Sequence, residues 1–185
     1  TTITAGAGSG IEKATAGAAI TVEGGAPTFT YLGPITNSRP DPSGPTSFLL
    51  NVSDVSGGSV NLFSPPGSPF IDTGDGIQVV GNSGGSVLVQ GAKITSSGAQ
   101  GILINNNSGG DFAFSNITID SASSAGVLIN DSPLSTSTFS NLNITLAATS
   151  AIGFQTNNAG PITTTDTNTI STASTALPAV QIIDS

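Results

Sequence analysis

A short apolar phrase returns along this chain at nearly constant intervals. It starts with a glycine or alanine and continues with alternating apolar positions, as in Gly76-Ile77-Gln78-Val79. Further copies begin at Gly101, Gly126, Ala151 and Ala179, so the successive steps are 25, 25, 25 and 28 residues. A constant period of this length is typical of a solenoid, in which similar coils stack on one another.

The alternation within each copy predicts strands. Apolar side chains occupy every second position, as at Ile102 and Ile104 or at Val127 and Ile129, which places them on one side of an extended segment. Helices are disfavoured because the chain contains 24 Gly and 11 Pro and few runs of Leu, Glu, Lys or Arg. The pattern therefore indicates an all-β protein.

Two more strands are predicted in each repeat. Paired glycines, which permit positive φ at a tight corner, precede the second strand at Gly57-Gly58, Gly84-Gly85 and Gly109-Gly110, with Gly24-Gly25 as a looser copy. Isoleucines hold matching places in the third strand: Ile94, Ile119 and Ile144. We predict a single domain over residues 1–185, a right-handed parallel β-helix of about seven coils of about 25 residues, each with three short strands.

The predicted coils define a core and a polar ladder. The inward, stacked side chains are expected to be Ile102, Ile104, Phe112, Phe114, Ile119, Val127, Ile129 and Ile144. Asn116 and Asn141 each begin a third strand in successive coils, so their side-chain amides are expected to bond to one another.

Two proline-rich segments interrupt the repeat. Residues 33–45 and 64–69 are expected to bulge from one corner of adjacent coils, because proline removes ladder donors and stiffens loops. If the chain recognises a partner, such as a surface glycan, the candidate residues are Arg39, Asp41, Pro65 and Pro66. An insertion merely tolerated at a corner is the simpler alternative.

Charge excludes one class of function. The formal net charge is −8, and the positive residues are Lys13, Arg39 and Lys93. Three scattered cations cannot line a phosphate backbone, so nucleic-acid binding is rejected. No apolar run is long enough to predict a membrane span, and nothing indicates a cofactor. The acidic composition rich in Thr, Ser, Asn and Gly suits an extracellular or cell-surface protein.

Several of these motifs together resemble a known group of proteins. The Gly-Gly-Ser-Val corners, the linker Ile71 to Ile77 and the segment Asp166 to Thr172 resemble the pectate-lyase-like parallel β-helix repeats of large bacterial surface proteins. Autotransporter passengers and filamentous-haemagglutinin-like adhesins carry such repeats. The resemblance implies a structural or adhesive role without catalysis, and it carries over no catalytic residue.

The same fold also implies an alternative, a carbohydrate-active enzyme or glycan-binding module. Such enzymes place carboxylates side by side on one face. Here the chain has no His, and Asp72 is expected level with Thr95, Asp120 and Thr145, about 9.6 Å from the nearest aligned acid, Asp120. Asp72 and Asp75 form the only compact acidic turn. They are weak candidates for calcium, against a purely structural corner.

The segments at the two ends of the chain are both strand-like. Thr1 to Thr4 would read as a continuation of Gln181 to Ser185. Open solenoid ends expose backbone groups that template further pairing. We therefore expect head-to-tail continuation, either covalently, with this segment as one unit of a tandem array in a longer chain, or non-covalently, with subunits stacked in a filament.

Overall fold

A computed structural model describes residues 2–6, 9–38, 46–95, 100–120, 122, 124–147 and 151–184. Every regular element within these residues is a β-strand, as predicted. The strands are β1 (Thr2–Ala5), β2 (Ile11–Lys13), β3 (Ile20–Gly25), β4 (Thr28–Tyr31), β5 (Ile35–Asn37), β6 (Leu50–Phe63), β7 (Phe70–Asp72), β8 (Ile77–Val80), β9 (Ser83–Ile94), β10 (Ile102–Asn105), β11 (Gly109–Asp120), β12 (Ala125–Ser132), β13 (Thr136–Leu146), β14 (Ile152–Ala159), β15 (Ile162–Thr165), β16 (Thr169–Thr172) and β17 (Val180–Ile183).

The strands stack as a parallel β-solenoid. Each strand pairs in parallel with the strand one turn before and one turn after it, as when Ile102 of β10 lies between Ile77 of β8 and Val127 of β12. The chain makes about 6 turns in the described residues, slightly fewer than the predicted seven coils. We call the face built from β3, the start of β6, β8, β10, β12, β14 and β17 the first face.

The second face contains β1, β4, the end of β6 and β15, and the third face contains β2, β5, β7 and β16. The long, bent strands β9, β11 and β13 contribute to both faces. In β9, β11 and β13 the chain passes from one face to the other at Gly91, Asn116 and Asn141, whose φ angles are +81°, +54° and +51°. These left-handed conformations suit Gly and Asn best, because other side chains are crowded there. A repeated Asn or Gly therefore turns the corner without ending the strand.

The core is a column of stacked apolar side chains. All eight residues predicted to point inward are at most 2% exposed. Aromatic rings stack in the same way: the centroids of Phe114 and Phe139 lie 5.5 Å apart with nearly parallel planes, and Phe154 meets Phe139 edge-on at 5.3 Å. Like therefore packs on like along the axis.

The predicted register is wrong at two copies. Phe154, not Ile152, pairs with Val127, so the glycine that starts this strand is Gly153 rather than Ala151. The corner before β14 absorbs two extra residues, and the strands keep their pairing because a corner tolerates insertion more easily than a ladder does. Likewise Gly25 pairs with Val55, so Gly24-Gly25 is no counterpart of Gly57-Gly58.

The first proline-rich segment, residues 33–45, contains a strand that the sequence did not predict. Strand β5 (Ile35–Asn37) lies within it and pairs with β7, so this part of the segment belongs to the ladder. Segment 64–69 lies between β6 and β7. Residues 39–45 fall outside the described residues, so the shared corner stays a prediction.

We predict that Ile104→Asp lowers the free energy of unfolding by about 4 kcal/mol or more, because it buries an unpaired carboxylate. Leu103→Asp is the matched control, since the adjacent Leu103 is half-buried on the outer side of the same strand. Urea denaturation followed by circular dichroism measures both. Equal stability of the two variants would contradict the inward register.

Candidate functional site

The acidic turn lies inside the solenoid rather than on its surface. Asp72 is fully buried and Asp75 is 4% exposed. The predicted register of Asp72 is wrong by one residue, because Asp72 pairs with Ile94 and not with Thr95. One step along a strand reverses the direction of a side chain. Asp72 therefore points inward at the level where later coils carry isoleucine.

Protein donors surround both carboxylates. Asp72 accepts hydrogen bonds from Asn37 Nδ2 at 2.5 Å and from the Gly76 amide at 2.8 Å. Asp75 accepts one from the Ser47 amide at 2.6 Å, and its own amide donates to the Ser47 carbonyl at 2.7 Å. The cluster of Asn37, Ser47, Asp72 and Asp75 thus ties two successive coils together through buried polar contacts.

Burial changes the acidity of Asp72. Desolvation raises the pKa of this carboxyl group to about 6, since removal from water penalises the charged form. Hydrogen bonds from Asn37 and from the backbone amides of Gly76 and Gly74 oppose the effect, and the nearby Asp75 charge reinforces it. Asp72 can therefore hold or release a proton close to neutral pH.

The remaining acids are dispersed. Gly81 and Asn106 lie between Asp54 and Asp131 in their column, as the register predicts. Asp111 is paired with Ser86 and accepts a hydrogen bond from Thr136 Oγ1 at 2.6 Å. Within the described ranges, no three His, Cys, Asp or Glu residues lie together as metal ligands. The outer faces described here therefore carry no aligned carboxylate pair.

A second polar ladder, inside the solenoid, was missed at the sequence level. Asn82 Nδ2 and its backbone amide both donate to Asn107 Oδ1 at 2.9 Å, and Asn107 Nδ2 donates to Ser132 Oγ at 3.2 Å. The Val55 amide extends the ladder by donating to Asn82 Oδ1 at 2.8 Å. All three polar side chains are buried. The 25-residue spacing of these residues was the available signal.

The ladder expected from Asn116 and Asn141 lies on the outside. Asn141 Nδ2 donates to Asn116 Oδ1 at 3.1 Å, and both residues are exposed. Ile94, Ile119 and Ile144 form a buried stack on the third face. These five residues stabilise corners and core.

Only one of the two candidate partner loops can be described. Arg39 and Asp41 fall outside the described residues. Pro65 and Pro66 border a shallow depression of about 390 Å³ that also contains Gln90 and Asn116. Its lining contains no charged side chain, which gives no basis for assigning a ligand.

No helix long and apolar enough to cross a membrane occurs in the described part of the chain. Comparison with known protein families, with curated proteins and with solved structures found no match. The parallel ladder establishes the architecture as a β-solenoid. Kinship with the bacterial surface proteins stays a prediction, because no comparison supports it.

The raised pKa of Asp72 predicts a stability that depends on pH. Since the folded pKa of about 6 lies above the reference value of 3.8, the folded state binds this proton more tightly. The protonated Asp72 therefore contributes to the free energy of unfolding in full below pH about 4, and this contribution is lost as pH rises through about 6. The total loss in the free energy of unfolding is up to about 3 kcal/mol.

Chemical denaturation of the parent and of Asp72→Asn between pH 4 and 8 measures this effect, because the variant lacks the titrating proton. The difference between the two proteins should change in that window. A difference that is constant with pH would contradict the assignment.

Calcium should leave the thermal stability unchanged. The carboxylates of Asp72 and Asp75 already accept hydrogen bonds from protein donors, and a ligand raises stability only by binding the native state. Differential scanning calorimetry with calcium and then with chelator tests this. A melting temperature that rises with calcium and falls on chelation would assign a metal site to the turn.

Proposed function

We propose that this chain is a structural β-solenoid of the cell surface or extracellular space, which forms or extends a stiff rod. The unbroken parallel ladder supports the proposal, because each coil is hydrogen-bonded to its neighbours along most of its length. Such a construction resists bending and gives length rather than a pocket. The proposed kinship with bacterial adhesins agrees with this role and rests on the repeat motifs alone.

The observation that carries the proposal is the exposure of core positions in the two outermost described coils. Val180 and Ile182 continue the first-face column of Phe154 and Thr156, yet they are 47% and 65% exposed. Ile3, in register with the inward Phe29, is 53% exposed. These side chains are exposed because no further described coil covers them.

Apolar space is open at the β17 end. A cavity of about 260 Å³ lies there between Phe154, Ile170, Val180 and Ile182, with Leu142 and Ile162 also on its wall. Burying apolar surface of this kind against another coil is favourable by about 25 cal/mol for each Å² removed from water. The backbone groups along the same edge add a template for strand pairing.

A second copy of this chain fits that end in phase. The last described coil runs through the second, third and first faces as β15, β16 and β17, and the first described coil runs through the same faces as β1, β2 and β3. Stacked head to tail, β3 would place Ile20 and Val22 over Val180 and Ile182. This contact is heterologous and does not close, so repetition gives a filament.

Catalysis is not part of the proposal. Enzymatic cleavage of polysaccharides needs an acid and a second carboxylate or cation across one substrate site. The described acids on the outer faces have no carboxylate in the adjacent coil, and Asp72 and Asp75 are enclosed by protein. Any recognition of surface glycans would then come from side chains displayed along the rod.

The test is whether Ile182→Lys abolishes self-association. Light scattering over a range of concentrations and electron microscopy should show growing rods for the parent chain and separate subunits for this variant, because a lysine at the end coil cannot be covered without desolvation. Leu103→Lys is the matched control. Leu103 lies on the outer side of β10, which has β8 on one side and β12 on the other, so that variant should assemble as the parent does.

A parent chain that stays a monodisperse monomer at every concentration would overturn self-stacking. Equal assembly of Ile182→Lys and the parent would exclude the β17 end as the contact.

A further inference from the structure

Three chemically complementary side chains occupy one inward column of the third face. Lys13 of β2 pairs with Asn37 of β5, and Asn37 pairs with Asp72 of β7. Later coils carry Ile94 and the isoleucines above it at this position. A half-buried lysine, a buried carboxamide and a buried carboxyl group thus take the place of isoleucine in three consecutive coils.

The carboxamide of Asn37 is held at both ends. Its Nδ2 donates to Asp72 Oδ1 at 2.5 Å, and its Oδ1 accepts a hydrogen bond from Ser47 Oγ at 3.1 Å. Asn37, Ser47 and Asp72 are all fully buried. A donor on the carbonyl oxygen stabilises negative charge that develops there, and an acid beside the nitrogen can protonate it as a leaving group. Both effects make the amide carbon, Cγ, more open to attack.

The amine of Lys13 is the nearest nucleophile in the column. Its Nζ donates to the carbonyl oxygens of Thr15 and Ala16. The same Thr15 oxygen lies 3.3 Å from Ser47 Oγ, which in turn donates to Asn37. The Thr15 carbonyl oxygen and the Asn37 carboxamide therefore both border the Ser47 hydroxyl, whose single proton can be donated to only one of them at a time. Because Lys13 and Asn37 are neighbours across a parallel ladder, the flexible four-carbon stem of lysine can bring Nζ to Cγ by bond rotation.

We propose that Lys13 and Asn37 join in an amide cross-link, with Ser47 and Asp72 assisting and with ammonia as the second product. Lys13 Nζ releases a proton to the surrounding water and attacks Asn37 Cγ, and Ser47 Oγ–H donates to the oxygen of the tetrahedral intermediate. Asp72 delivers its proton to the departing Nδ2 and regains one from the attacking nitrogen. The Cγ–Nδ2 bond breaks, ammonia leaves, and the carboxyl group ends in its starting state.

The environment of Asp72 suits this part. Burial raises the pKa of the carboxyl group to about 6, so a substantial fraction carries the proton that the leaving nitrogen requires. The product would tie β2 covalently to β5. Like other cross-links, it would stabilise the fold by restricting the unfolded chain. Neither the chemistry nor its test depends on whether the chain assembles into rods.

The intact mass of the purified chain decides the proposal. The parent should be lighter than its sequence by one ammonia, and Lys13→Arg, which keeps the charge but cannot make the link, should have its full mass. Asp72→Asn should also have its full mass or lose ammonia slowly. Lys93→Arg is the matched control, because Lys93 is the other lysine and lies on the outside beside Asp120. That variant should lose ammonia as the parent does.

Peptide mapping should then show a branched peptide that contains both Lys13 and Asn37, and the parent should melt at a higher temperature than Lys13→Arg. A parent chain of full sequence mass after prolonged incubation at neutral pH would overturn the proposal. So would loss of ammonia that persists in Lys13→Arg, since that would indicate succinimide formation at an asparagine rather than a cross-link to lysine.

Discussion

The structure depends on the parallel hydrogen-bonded ladder that joins each coil to the next. Parallel strands stand about 4.8 Å apart, so a residue in one coil is forced into contact with its equivalent in the next. Every side chain then needs to be compatible with a near copy of itself. Isoleucine on isoleucine and phenylalanine on phenylalanine meet this demand by packing, as Phe114 and Phe139 do.

The same constraint explains the buried polar side chains. Asparagine carries a donor and an acceptor, so stacked asparagines satisfy one another, whereas stacked carboxylates would repel. Asn82 and Asn107 show the first arrangement inside the solenoid. The outward acids have Gly, Asn, Ser or Thr as neighbours in adjacent coils, as Asp54 has Gly81 and Asp111 has Ser86 and Thr136. Both the absence of paired carboxylates along the described faces and the proposed structural role follow from this rule.

The column of Lys13, Asn37 and Asp72 departs from the isoleucine stack. Replacing apolar contacts by buried polar groups costs stability unless every group has a partner, and this cluster provides partners from two coils. An unusual set of interacting groups at a fixed position, with a perturbed acid among them, is a marker of chemistry as well as of structure. That combination is the physical basis for proposing a covalent link there.

The sequence alone determined the strand class, the period and the inward residues, because alternation and a 25-residue repeat are local signals. Ile102, Ile104 and Phe112 could be placed without coordinates for that reason. Where the period slipped, local signals were insufficient. The two extra residues before β14 moved the aligned glycine from Ala151 to Gly153, and only the ladder shows which residues face each other.

The candidate site was decided by tertiary structure. The acidic turn at Asp72 and Asp75 was visible in the sequence, but a register error of one residue had placed Asp72 outside. A strand reverses its side chains at each step, so this error separates a surface carboxylate from a buried one with a raised pKa. Asn37 comes from the preceding coil, where Ser47 also contacts it, and Lys13 lies one coil further away. The contact of Asn37 with Asp72 is a property of the stacked fold, and no regular spacing along the chain indicates it.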